Sequence, residues 1–177
     1  GLNGNVNKSS KLPDDSLFPN FENQRLLRNL GVQYKVMQIL KFNVSEEQKK
    51  YKDYKSLIDS VYVFLIRFCK DNVINQNLLG ENIEFFIRNI EMSPYTIFLI
   101  KEIFKNNKKF LTIRALRLIK YIVRKEEAIE LGSIEKYYYL NILKTFTKWK
   151  DKIVKKNQNE ILMQISGKSE GTLCSYL

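Results

Sequence analysis

The chain has 177 residues, 44% of them hydrophobic and 28% charged, with a formal net charge of +11. It contains no histidine, which excludes histidine-based acid–base catalysis, histidine-ligated metals and Ser–His or Cys–His nucleophile pairs within it. With only 7 Gly and 3 Pro, the sequence has too few turn formers for a sandwich of short strands, and we expect an all-α fold.

The sequence predicts three regions along the chain. Residues 1–19 are polar, rich in turn formers and without hydrophobic periodicity, so we expect a disordered lead. Residues 167–177 have the same character and are predicted to form a loose tail. Residues 20–166 can be divided throughout into helices joined by short connectors, and we expect one helical domain there.

Apolar spacing and helix-boundary signals locate the predicted helices. Gly31 and Gly80 are predicted helix ends, and Ser93-Pro94 is a typical helix start. Residues 43–53 are a charged insertion between helices. The predicted helices are Phe21–Leu30, Gln33–Lys41, Tyr54–Cys69, Val73–Leu79, Ile83–Ile90, one from Pro94 to Asn106, Lys108–Glu130, Ser133–Lys150 and Lys152–Ile165.

Pairs of these helices recur along the chain. They start near residues 21, 54, 94 and 134, which gives a period of about 40 residues. One helix pair cannot bury both of its faces, so neighbouring pairs must stack. The sequence therefore predicts an armadillo- or HEAT-like α-solenoid of about four stacked helix pairs.

Amide side chains interrupt an apolar stretch in FLIRFCKDNVINQNLL, residues 64–79. In a stack of helix pairs, the turn between consecutive helices is buried, and its backbone N–H and C=O groups need partners. We expect Asn72 or Asn75 to cap the helix that carries Gln76, and at least one of these structural turn amides to be buried. Solvated loop amides in an Asn-rich chain are the alternative.

Positive charge concentrates in residues 101–156, which hold 16 Lys or Arg against 6 Asp or Glu. Wound as a helix, residues 109–125 place their apolar side chains within an arc of roughly 160° and their basic side chains outside it. This pattern predicts either a solvated basic face or an interaction surface for an acidic neighbouring domain, nucleic acid or anionic lipid. The candidate residues are Lys109, Arg114, Arg117, Lys120, Arg124, Lys148, Lys152, Lys155 and Lys156.

No motif in the sequence carries catalytic or cofactor chemistry. Gly167-Lys168-Ser169 lacks the glycine that a phosphate-binding loop has five residues earlier, because residue 162 is Leu. Consecutive glutamates at 126–127 are typical of a solvated helix end. We therefore expect no enzymatic activity, no catalytic or metal-binding residues and no cofactor.

The cysteines and the hydropathy pattern indicate the setting of the chain. Cys69 and Cys174 lie far apart in sequence, which favours a reducing intracellular environment over a disulfide framework. No apolar run approaches the roughly 18 residues of a membrane span, and the N-terminus lacks a signal-peptide pattern. We expect no membrane insertion by this stretch.

Three stretches of the sequence form a recognisable pattern through their order and spacing. They are NQRLLRNLGV at 23–32, FLIRFCKDNVINQNLL at 64–79 and YLNILKTFTKWKDKIVKKNQ at 139–158, and IFKNN at 103–107 fits as well. In order and spacing they resemble the cytosolic homology domain shared by inositol trisphosphate receptors and ryanodine receptors. The resemblance covers about 23–165 and is greatest to the second copy of this domain in an inositol trisphosphate receptor.

The resemblance implies a non-catalytic cytosolic scaffold or regulatory module of an intracellular ligand-gated calcium-release channel. Such a module transmits conformational change between ligand-binding and pore modules, at the cytosolic face of the endoplasmic reticulum membrane. Its implied partners are neighbouring domains of the same channel and adjacent subunits of a tetramer. We expect it to bind neither nucleic acid nor inositol phosphate; the alternative is a basic helical-repeat module that binds one of these.

Overall fold

The computed structural model of the protein describes residues 20–108, 115–127, 134–149 and 152–166. Within these ranges the secondary structure is helical apart from one hairpin of two two-residue strands, so the predicted all-α fold is confirmed. The helices are α1 Phe21–Asn29, α2 Val32–Lys41, α3 Glu46–Lys50, α4 Lys52–Cys69, α5 Val73–Gly80, α6 Ile83–Arg88, α7 Tyr95–Phe104, α8 Ala115–Glu127, α9 Ile134–Phe146 and α10 Lys155–Ile165. A 3-10 turn, Ile90–Met92, joins α6 to α7, and the hairpin strands are β1 Lys148–Trp149 and β2 Lys152–Ile153.

Helix α7 lies at the centre of the packing. It contacts α4 and α5 on the N-terminal side and α9 on the C-terminal side, and α9 continues into contacts with α8 and α10. One hydrophobic core extends through these layers, which is consistent with a solenoid-like stack. Edge-to-face ring pairs join the layers: Phe104 and Phe146 have centroids 4.7 Å apart, and Tyr62 and Phe86 have centroids 6.2 Å apart.

The basic helix α8 has the predicted two-sided character. Its buried side chains recur at three- and four-residue spacing, so they form one stripe that faces α9 and α10. Lys120 and Arg124 lie on the exposed side. The buried residues of α8 are Ala115, Leu118, Ile119, Ile122 and Val123.

Gly31 separates α1 from α2 as predicted. Its φ of 68° is left-handed, a conformation that glycine adopts without the Cβ clash of other residues. Gly80 ends α5 as predicted, but without a left-handed backbone. It is the last residue of the helix, and among the described glycines only Gly31 has a positive φ. The helix that was predicted to run to Asn106 ends two residues earlier, because α7 ends at Phe104. Asn106, beyond this end, has a left-handed φ of 55°.

The predicted helix Ser133–Lys150 is too long by four residues. Helix α9 ends at Phe146, and the chain then forms the antiparallel hairpin in which Lys148 pairs with Ile153 and Trp149 with Lys152. The buried side chain of Asn157 donates from Nδ2 to the Phe146 carbonyl oxygen at 2.9 Å, so α9 ends on a satisfied group. The last helix accordingly starts at Lys155 and not at Lys152.

The charged insertion at 43–53 contains the short helix α3. Ser45 and Gln48 form a reciprocal capping box, in which each side chain accepts a hydrogen bond from the other residue's backbone N–H. The predicted lead at 1–19 and tail at 167–177 lie outside the described residues, as does part of the predicted helix Lys108–Glu130. Among the described residues, no helix is both long enough and apolar enough to span a membrane.

Candidate functional site

The predicted turn amides meet at the elbow between α4 and α5. Asn72 is the N-cap of α5, and its Oδ1 accepts a hydrogen bond from the Asn75 backbone N–H at 3.2 Å. This bond satisfies one of the free N–H groups in the first turn of the helix. Asn72 is half-buried, whereas Asn75 and Gln76 are buried.

Asn75 ties the elbow to two other helices. Its side chain is fully buried; Nδ2 donates to the Phe68 carbonyl oxygen at 2.7 Å, near the end of α4. Its Oδ1 accepts a hydrogen bond from Arg28 Nη1 at 2.9 Å, which reaches over from α1. One amide therefore connects α5 with both α4 and α1, through one bond to a backbone carbonyl and one to a charged donor.

Gln24 completes this connection, and the sequence analysis missed it. Its Nε2 donates to the carbonyl oxygens of Arg67 at 2.8 Å and Lys70 at 3.0 Å. Both carbonyls lie at the C-terminal end of α4, where no later backbone N–H of the helix is left to bond them. Its Oε1 accepts from Asn72 Nδ2 at 2.9 Å. The available signal was its position on α1, since Gln24 precedes the half-buried Leu27 by three residues and so shares the inward stripe.

We call these four residues, Gln24, Arg28, Asn72 and Asn75, the amide lock. Gln76 is not part of it, because its buried Oε1 finds no hydrogen-bond donor among the described residues. A second contact between neighbouring layers lies beside the lock, where Asn107 Nδ2 donates to Asn77 Oδ1 at 3.1 Å.

An acidic cluster fixes the same elbow to α7. The Asp71 backbone, held at a left-handed φ of 54°, donates its N–H to Glu102 Oε1 at 2.9 Å. Lys105 Nζ lies 2.8 Å from Asp71 Oδ1, so the cluster contains a cation as well. Burial raises the pKa of Glu102, while the Asp71 N–H bond and the Lys105 charge act in the opposite direction.

Cys69 lies at the end of α4, inside the core. Its side chain is fully buried, and burial raises the pKa of its thiol well above the usual range. A neutral, inaccessible thiol is neither a nucleophile nor a metal ligand. Among the described residues, no group of three Cys, Asp or Glu side chains is arranged to hold a metal ion.

The predicted basic surface is distributed over three elements. Lys120 and Arg124 are exposed on α8, and Lys120 Nζ lies 3.7 Å from Glu160 Oε1 of α10. The other described members are exposed on the hairpin and on the first turn of α10; they are Lys148, Lys152, Lys155 and Lys156. Lys109 and Arg114 lie outside the described residues, and so does the side chain of Arg117, which belongs to α8.

Trp149 anchors the hairpin that carries part of this surface. Its Nε1 donates to the Asn106 carbonyl oxygen at 3.1 Å, just beyond the end of α7. The Lys108 ammonium lies 5.2 Å from the Trp149 ring centroid, within the range of a cation–π contact. The Trp149 ring is therefore held in place by packing and by hydrogen bonding.

One comparison with known proteins identifies the family. A family model described as the RIH domain, the homology domain of ryanodine and inositol trisphosphate receptors, matches residues 5–167. The match covers most of the chain and includes the elbow with its amide lock. The family resemblance that the sequence stretches indicated is thereby confirmed, and the assignment to the second copy of the domain stays a prediction. The chain belongs to the RIH domain family, whose members are parts of non-enzymatic calcium channels of the inositol trisphosphate or ryanodine receptor type.

Proposed function

We propose that this chain is a scaffold and regulatory module that transmits conformational change between the ligand-binding and pore modules of a calcium-release channel. The amide lock is the observation that carries the proposal. Transmission of a displacement requires successive helices to move together, because a loose elbow would absorb the displacement locally. The lock joins α1, α4 and α5 through side-chain bonds, three of them to carbonyl oxygens at the end of α4.

The acidic cluster extends this stiff unit to the next layer. It fastens the elbow to α7 by a backbone-to-carboxylate bond, and α7 in turn packs on α9. A rotation applied at α1 would thus reach the C-terminal layer, because the close-packed helices between them move as rigid bodies. The proposed location is the cytosolic face of the endoplasmic reticulum membrane, and the proposed partners are neighbouring domains and adjacent subunits of a tetrameric channel.

In the same proposal, the basic surface is either a solvated face or a docking face for an acidic neighbouring domain. An inositol-phosphate site would need cations from several helices to converge on one concavity. The described members are spread over α8, the hairpin and α10. None of them is among the residues that line two adjoining grooves beside α4, which share Lys55 and Asp59. This distribution favours the scaffold over the alternative of a module that binds inositol phosphate or nucleic acid.

The test uses the full-length channel that contains this domain, reconstituted in vesicles. The variants are Asn75→Ala, which breaks the lock, and Asn29→Ala, a matched control at an exposed position on α1. We expect Asn75→Ala to leave the affinity for inositol trisphosphate within about twofold while it raises the concentration needed for half-maximal calcium release several-fold. Asn29→Ala should change neither quantity.

Two further measurements keep this test decisive. Size-exclusion chromatography must show that the variant channel assembles, and Asn72→Ser, which keeps a helix cap but loses the Gln24 bond, should give a smaller shift in the same direction. Calcium release identical to that of the unaltered channel, with the elbow loosened in hydrogen exchange, would contradict the proposed transmission.

A further inference from the structure

A groove runs along the solvent side of α4 where α7 begins. It encloses about 670 Å³, and its walls include Lys52, Lys55 and Arg67 of α4 together with Tyr95 of α7. A second groove, of about 730 Å³, continues from it and shares Lys55 and Asp59. Both volumes fall within the range of ligand-binding clefts in proteins.

Positive charge predominates in the wall of the first groove. Lys52, Lys55 and Arg67 are exposed, and none of them forms an ion pair with a described carboxylate. Asp59 is the acidic residue in the wall, where its Oδ1 accepts a hydrogen bond from the buried hydroxyl of Ser93, and three cations outnumber this one carboxylate. The groove is therefore complementary to negative charge.

The middle of the groove is apolar. Phe64 and Tyr95 line it and are only half-buried, so part of each ring is open to a partner. Phe64 stacks on Phe68 with centroids 6.1 Å apart, and Tyr95 contacts Phe98 with centroids 6.4 Å apart. Because the rings are held by these neighbours, they offer a fixed apolar floor between the cations.

The spacing of the cations distinguishes between kinds of anion. Lys52 and Arg67 are 15 positions apart on one helix, which corresponds to roughly 22 Å along its axis at a rise of 1.5 Å per residue. A single small anion cannot contact both ends of such a row. An extended peptide covers the same distance with about six or seven residues at roughly 3.3 Å each.

We propose that this groove binds an extended acidic segment of polypeptide, with carboxylates near both ends and an apolar residue between them. The end carboxylates pair with Lys52 or Lys55 and with Arg67, and the apolar side chain lies on Phe64 and Tyr95. That the segment comes from a neighbouring domain rests on the proposed scaffold function. The groove adds to that function the chemical character of one partner. Peptide binding itself is a property of this chain alone.

The experiment measures fluorescence anisotropy of a fluorescein-labelled peptide, EELFSDE, titrated with the 177-residue chain. A neutral peptide of the same length, QQLFSNQ, is the ligand control. Lys55→Glu and Arg67→Glu reverse exposed charges at the groove, and Lys144→Glu makes the same change at an exposed position on α9. We expect either groove variant to weaken binding of the acidic peptide by about tenfold, which is 1.4 kcal/mol, and Lys144→Glu to change it by less than about twofold.

Each other outcome contradicts the proposal. Equal weakening by Lys144→Glu would mean attraction by net charge alone, and equal binding of QQLFSNQ would mean that charge complementarity is not involved. Tighter binding of inositol hexakisphosphate or single-stranded RNA than of the peptide, lost in the groove variants, would assign the groove to another ligand. Absence of peptide binding at about 50 mM salt would refute the groove as a docking site while leaving the calcium-release test of the scaffold function unaffected.

Discussion

Asn75 of α5 donates its side-chain N–H to the carbonyl oxygen of Phe68 on α4, at 2.7 Å and out of contact with solvent. The Phe68 carbonyl is close to the C-terminal end of α4, where carbonyl groups run out of intrahelical partners. The same amide accepts from Arg28, so both the nitrogen and the oxygen of its side chain have a hydrogen-bond partner. A polar residue at the most buried position of α5 is therefore stable because each of its atoms is paired.

Replacing Asn75 with Leu should lower the free energy of unfolding by about 1–3 kcal/mol. The substitution leaves the Phe68 carbonyl and the Arg28 guanidinium without their partner inside the elbow. Urea denaturation followed by circular dichroism measures the change. Asn29→Leu, at an exposed position on α1, is the control, and an equal loss in both variants would show that the buried bonds contribute nothing specific.

Gln24 and Asn72 should behave as a coupled pair. Their side chains are joined by a 2.9 Å hydrogen bond, and both hold the end of α4 or the start of α5. In a double-mutant cycle with Gln24→Ala and Asn72→Ala, we expect an interaction free energy of about 0.5–3 kcal/mol. A cycle of Gln38→Ala with Asn72→Ala, in which the glutamine is exposed on α2, should be additive. Additivity in both cycles would contradict a coupled lock.

The pH dependence of stability should contain a contribution from Glu102. Because burial raises its pKa in the folded state from near 4.5, the folded chain binds more protons than the unfolded chain in the window above that value. The contribution of Glu102 to the free energy of unfolding therefore falls as pH rises through this window. Glu102→Gln keeps an oxygen for the Asp71 N–H and removes the titration, so the variant should gain stability relative to the unaltered chain as pH rises above about 4.5.

The control for this titration is Glu81→Gln, an exposed glutamate just after α5. Its stability profile should run parallel to that of the unaltered chain, because this substitution removes no buried carboxyl. Urea denaturation at a series of pH values gives both profiles. A Glu102→Gln profile that also runs parallel would show that burial does not perturb Glu102.

Cys69 should resist alkylation for as long as the chain is folded. Its thiol is fully buried and kept protonated by a raised pKa, and iodoacetamide reacts with accessible thiolate. Peptide mass spectrometry after timed labelling distinguishes Cys69 from Cys174. We expect labelling of Cys69 to require urea, and the same chain at a urea concentration above its unfolding midpoint is the positive control. Rapid labelling without denaturant would place Cys69 in an open or locally unfolded segment.

The helices and their core followed from local features of the sequence. Gly31 marks the end of α1 because few other residues adopt a φ of 68° without strain, and the stripe of α8 shows its buried face directly. The Ser45–Gln48 capping box also has a local signature, an S-x-x-Q pattern, although the insertion containing it was not expected to be helical.

Other features depend on residues that are distant in sequence. Gln24 bonds to carbonyl groups 43 and 46 positions away, so periodicity places it on the inward stripe but cannot name its partners. The end of α9 at Phe146 similarly depends on Asn157 in the next helix, and local propensity alone extended α9 through the hairpin. The groove along α4 exists only because α7 packs beside it, and this contact joins residues that are distant in sequence.

The basic surface should bind inositol phosphates only weakly, in a manner that salt abolishes. Its exposed members Lys120, Lys148 and Lys155 lie on three different elements and line neither groove, so they attract an anion without enclosing it. Calorimetry with inositol hexakisphosphate should show weak binding at about 50 mM salt that disappears at about 200 mM, because exposed charges are screened over about a Debye length. Lys155→Gln should weaken the low-salt binding no more than the matched Lys144→Gln on α9, because both ammonium groups are exposed and neither lies in a formed anion site. Micromolar binding that persists at the higher salt concentration, and that Lys155→Gln removes but Lys144→Gln does not, would instead establish a formed phosphate site and favour the inositol-phosphate alternative over a purely mechanical module.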